Sequence, residues 1–101
     1  LEQRTDNVEA ILGLAFAQWG AAKYDNAIAS FRSAFKIDSR KSEVLLHIAK
    51  IYESHLDKME KAVVALREYM GAKQLGADSD IAKRIKMMLE MKKMQEENRT
   101  I

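Results

Sequence analysis

Cysteine and proline are both absent from the 101 residues, and glycine occurs only four times. No cysteine means no disulfide framework, no thiolate metal site and no cysteine nucleophile. So few turn formers argue against a sandwich or barrel of many short strands. Charge of one sign is missing too: 17 basic and 15 acidic residues leave a formal charge of +2. That near balance gives no general attraction to nucleic acid or to acidic membranes. Long hydrophobic runs are also lacking. The longest uncharged stretch, Ala10 to Ala22, is thirteen residues, where a spanning helix needs about 20. The start, Leu1-Glu2-Gln3-Arg4, is polar and does not read as a signal peptide. A chain that opens on Leu reads as a piece of a longer protein, and a soluble, cytoplasmic one is the default expectation.

What remains is rich in Ala, Leu, Glu, Lys and Arg, the composition of helices. Asp6-Asn7-Val8-Glu9 has the form of a capping box and predicts the start of a first helix. Val8, Ile11, Leu12, Ala15, Phe16 and Trp19 then recur at helical spacing. Gly20 to Lys23 breaks the pattern, and Tyr24 to about Asp38 restarts it. A third helix is expected over about 42–54, a turn at His55 to Lys58, and a fourth helix from roughly Met59 to Lys73. Gly76 reads as the stop, Asp78-Ser79-Asp80 as the start of a fifth helix to about Glu97, and Asn98–Ile101 as a fraying tail. The fold class expected is all-α, with five helices.

The chain also repeats itself. Shifted by 34 residues, Ile11, Leu14, Ala15 and Gln18 fall on Leu45, Ile48, Ala49 and Tyr52. Shifted by 35, Tyr24, Ala27, Phe31 and Ala34 fall on Met59, Ala62, Leu66 and Tyr69. The change of offset places one inserted residue in the second turn, where insertions are tolerated best. A two-helix unit of about 34 residues is the period of tetratricopeptide repeats.

Leu14-Ala15 with Tyr24-x-x-Ala27-x-x-x-Phe31-x-x-Ala34 resembles most of one tetratricopeptide signature. Ile48-Ala49-x-x-Tyr52 with Ala62 and Leu66 resembles a second. The family's opening Trp is replaced by Ile11 and Leu45, and its closing Pro by Ser39 and Gln74. The resemblance implies one domain: a repeat over about 8–41, another over 42–76 and a capping helix over 79–97, stacked as a short right-handed superhelix. It further implies a non-catalytic scaffold that binds a peptide, helix or protein in a concave groove. By that likeness the groove positions are Glu9, Leu12, Phe16 and Trp19, then Glu43, Leu46, Lys50 and Glu53. Family members that clamp a terminal carboxylate use Lys and Asn at such positions. Leu12 and Phe16 stand there in the first unit and only Lys50 supplies a cation, so an apolar peptide or helix is the better fit.

Chemistry for an enzyme is scarce. His47 and His55 lie eight residues apart, about 80° from each other around a continuous helix. Glu43 and His47 share a face but lack a third ligand, and His47 reads as a surface or half-buried histidine. Sparse glycines form no phosphate-binding loop, and no nucleophile setting is visible. The expectation is no catalytic residue, no metal and no cofactor. The first helix is apolar nearly all round, so Trp19 is either covered by a neighbour or turned to a ligand. Of six methionines four lie in the last helix, and Met87, Met91 and Met94 form a row suited to self-association. Six basic residues from Lys83 to Arg99 face three acidic ones, with no aromatic among them to stack on bases. A protein partner, or a second copy, is expected rather than nucleic acid or membrane. The alternative is an accessory or oligomerisation domain of a larger enzyme or regulator.

Overall fold

The computed structural model describes residues 2–99. Five α-helices follow one another: α1 (Glu2–Gly20), α2 (Tyr24–Ile37), α3 (Val44–Ser54), α4 (Met59–Lys73) and α5 (Asp80–Arg99). No strand occurs among the described residues. Each helix packs on the next in sequence, α1 on α2, α2 on α3, α3 on α4 and α4 on α5. The result is two helical hairpins laid side by side with a closing helix, in an elongated body of 56 × 32 × 15 Å.

Small residues let the hairpins close. Ala15 and Ala27 are fully buried in the first, Ala49 and Ala62 in the second, so helix axes approach with only a methyl group between them. Phe31 and Leu66 fill the layer between, with Leu45, Ile48 and Ile51 beside them. Arg32 on α2 reaches across to α4 and donates two hydrogen bonds to the Glu68 carboxylate, at 2.6 and 2.8 Å. Both groups are over a third exposed, and such a pair contributes below about 1 kcal/mol.

The helix ends depart from the sequence reading in several places. α1 already runs from Glu2, so Asp6-x-x-Glu9 lies inside the helix and does not cap it. α3 starts at Val44, because the preceding residues form turns in which Ser42 is buried. Gly76 is not the stop of α4. Gln74 takes the left-handed conformation (φ 56°), and the Leu75 amide donates to the Met70 carbonyl at 2.9 Å, a Schellman closure completed before the glycine. Ser79 caps α5 as expected, its Oγ accepting from the Ala82 amide at 3.2 Å. Asn98 and Arg99 remain helical, and residues 100–101 of the expected tail lie outside the described residues.

The two hairpin turns differ by one residue. In the first, the Lys23 amide donates to Gln18 at 2.8 Å; in the second, the Lys58 amide donates to Tyr52 at 2.8 Å. Each turn carries a non-glycine residue at positive φ, Ala22 (62°) and Asp57 (51°). A Cβ in that region costs about 1–2 kcal/mol, part of which glycine's own entropy offsets. Ala22→Gly should therefore stabilise the chain by about 0.5–1 kcal/mol. Urea unfolding would show a higher midpoint at unchanged slope; a lower midpoint would contradict this turn geometry.

Candidate functional site

Three helices bring four rings together. Phe16 and Trp19 stand one turn apart on α1 with ring centroids 6.4 Å apart and nearly parallel planes. Phe31 rises from α2 and meets Phe16 edge-on at 5.1 Å and Trp19 edge-on at 6.1 Å. His47 from α3 closes the group, 5.3 Å from Phe16, 5.8 Å from Trp19 and 5.4 Å from Phe31. Edge-to-face pairs at these separations add to what burial alone gives. Phe31 is the floor, with no exposure, while Phe16 is 48% exposed. Trp19 and His47 are half-buried between those limits.

The expected groove residues divide into two groups here. Leu12, Trp19 and Leu46 pack half-buried against the core, and Phe16 sits over Phe31. The three acidic positions are engaged elsewhere. Glu9 pairs with Lys41 at 3.1 Å, Glu43 with Lys73 at 3.2 Å and Glu53 with Arg84 at 2.7 Å. These carboxylates tie α1 to the connection between α2 and α3, the start of α3 to α4, and α3 to α5, while Lys50 is exposed. His47 is the member that sequence reasoning left out. The signal was present: Glu43, His47 and Lys50 fall at i, i+4 and i+7 on one helix face.

Among the described helices α1 packs closely on α2 alone and meets α3 only through side chains, Phe16 and Trp19 on His47, and this decides what the site shows to solvent. α3 lies between α2 and α4 and buries Val44, Ile48 and Ile51. The corresponding residues of α1, offset by 34, are Ala10, Leu14 and Ala17, all exposed, Leu14 at 52%. The all-round apolar character of α1 is thus only half used: Ala10, Leu14 and Ala17 lie on the side of the helix away from Phe16 and Trp19 and stay exposed there.

Burial lowers the pKa of His47, with the Glu43 charge opposing and Lys50 assisting. A base whose folded pKa lies below its unfolded value binds its proton more readily when unfolded. Stability from this group is therefore present at and above the unfolded pKa of about 6.5 and is lost as pH falls toward the folded value. Two carboxyls titrate well below this window. Asp38 is held at about 2 by the Arg40 guanidinium, and Glu43 is lowered by its own backbone amide and by Lys73. We expect Tm to fall between pH 7.5 and pH 5.5, and His47→Gln to flatten that slope. An unchanged slope in the variant would remove His47 as its cause.

Two other regions bear on function. Met87, Met91 and Met94 form a row on α5, exposed at 62, 50 and 62%, turned away from the Ile85 and Met88 side that packs into the core. A cleft between the start of α4 and the last turns of α5 is lined by Lys58, Lys61 and Lys92 together with Glu60 and Glu96. Lys92 pairs with Glu60 there, and the mixed signs select no ion. Among the described residues no three His, Asp or Glu side chains converge as a metal site requires, and no helix is long and apolar enough to cross a membrane. Comparison of the chain with protein-family models, curated proteins and solved structures finds no match in any of the three.

Proposed function

We propose that the chain is a non-catalytic, tetratricopeptide-like interaction module that holds an apolar peptide or helix against the aromatic face of α1 and α3. The observation that carries this reading is the half-exposed Phe16 ring, set on a rigid floor of Phe31 and flanked by Trp19 and His47. Aromatic rings that are held in place and still open to solvent lose little entropy on binding, and such residues dominate interface energetics. The neighbouring carboxylates Glu9, Glu43 and Glu53 already have cationic partners within the fold. An ionic ligand would have to displace those pairs, whereas an apolar one would not. The same reasoning disfavours nucleic acid on α5, where Arg84 and Lys92 are committed to Glu53 and Glu60.

The test is direct. Helix-forming peptides selected by display on the wild-type chain are titrated against Phe16→Ala and, as a control, Met87→Ala. Loss of a central aromatic contact is worth about 1–2 kcal/mol, so Phe16→Ala should weaken binding roughly 5- to 30-fold. Far-ultraviolet circular dichroism should stay unchanged in both variants. Peptides whose affinity ignores Phe16 would refute the site.

A further inference from the structure

Of the four clustered rings only His47 ionises. Its centroid lies 5.3 Å from Phe16 and 5.8 Å from Trp19, the two rings that reach solvent, and 5.4 Å from the buried Phe31. His47 is half-buried in the free chain, and a ligand laid across Phe16 and Trp19 covers what is left of it. No anion is placed to neutralise a proton there. α1 and α2 meet the imidazole with Phe16, Trp19 and Phe31, none of them ionisable. On α3, Glu43 at i−4 and Lys50 at i+3 act on it with opposite sign. The Glu43 carboxylate is exposed and shared with Lys73, which reaches it from α4 at 3.2 Å. An imidazolium under an apolar ligand would lie out of water without a counter-ion of its own, which is costly. The neutral ring carries no such penalty.

From this arrangement we infer that the aromatic face takes its apolar ligand with His47 neutral, so that seating the ligand expels a proton and acid releases the ligand. The inference rests on the aromatic face being the docking site and adds a regulation to it. The sign follows from burial. In the free chain, partial burial already holds His47 below its ordinary value, and a ligand that completes the burial extends the same effect. Coupling between two ligands is reciprocal, so a proton on His47 must weaken the peptide by the factor by which the peptide weakens the proton. One titrating group limits the change to tenfold per pH unit. Such a face holds its ligand at neutral pH and lets it go toward pH 5, the range in which histidine is the common switch.

The probe is a display-selected helix-forming peptide with capped ends and no ionisable side chain, so that only the chain can titrate. It is titrated at pH 7.5 and pH 5.0 against wild type, Phe16→Ala and His47→Gln, with circular dichroism following the fold at both values. Wild-type affinity should fall several-fold at pH 5.0, and by no more than about 30-fold, the limit for one group titrating at or below about 6.5. His47→Gln should bind with one affinity at both pH values. In NMR spectra the His47 ring protons, assigned by their loss in that variant, should titrate at lower pH with saturating peptide than without. Binding that depends on Phe16 but is equal at both pH values would overturn the inference and leave the aromatic site standing. Binding that ignores Phe16 would overturn both. Affinity that rises toward pH 5.0, or a wild-type loss that persists in His47→Gln, would also overturn it, the former because the ring faces would then be favouring the cation.

Discussion

Replacing Phe31 with alanine is expected to cost about 3–5 kcal/mol, the range for deleting a fully buried aromatic side chain. Phe31 has no exposed surface and touches rings from α1 and α3 at once. The cavity cannot collapse easily, because Phe16, Trp19 and His47 are anchored on two different helices. For a domain of this size such a loss lowers Tm by on the order of 15–30 °C. Trp19 fluorescence should red-shift in the folded variant as water reaches the ring. A drop below about 1 kcal/mol would mean that the aromatic floor is loosely packed, and with it the surface above.

The second large effect is a paired comparison. Ile48→Ala removes a fully buried side chain from α3, which lies between two helices, and should cost about 2–4 kcal/mol. Leu14 occupies the corresponding place in α1 but is 52% exposed, so Leu14→Ala should cost no more than about 0.5 kcal/mol. The contrast rests on coverage: α3 is packed by both α2 and α4, whereas among the described residues no helix packs over the Leu14 side of α1. Equal costs measured by urea unfolding would show that the outer side of α1 is covered in solution.

Helix number, helix order and the core were legible because they follow from local spacing. Tyr24 and Met59–Lys73 bound helices as the apolar period requires, and Ala15, Ala27, Phe31, Ala49, Ala62 and Leu66 are buried where that period places them. The start of α1 was misread for an energetic reason. Residues 2–7 are all polar, with the weak helix formers Thr5, Asp6 and Asn7 next to the first apolar residue, so the capping pattern at Asp6 was the stronger local signal. Gly76 was misread as a stop because glycine is the cheapest left-handed residue. The carbonyls of α4 find their partners one turn end earlier, at Gln74 and Leu75. The ion pairs of Glu9, Glu43 and Glu53 were not legible at all. Their partners Lys41, Lys73 and Arg84 lie about 30 residues away, and only the packed hairpins bring them within reach. For His47 the sequence supplied the right face but no reason to prefer a ring contact over solvent.

The most direct measurement of the functional account is a backbone and side-chain NMR shift map of the labelled chain, titrated with an apolar helix-forming peptide. The account predicts that the perturbed signals cluster on Leu12, Phe16, the Trp19 indole, Leu46 and His47, with the α5 methionine methyls unmoved. Shifts confined to Met87, Met91 and Met94, with the four rings silent at saturating peptide, would contradict it.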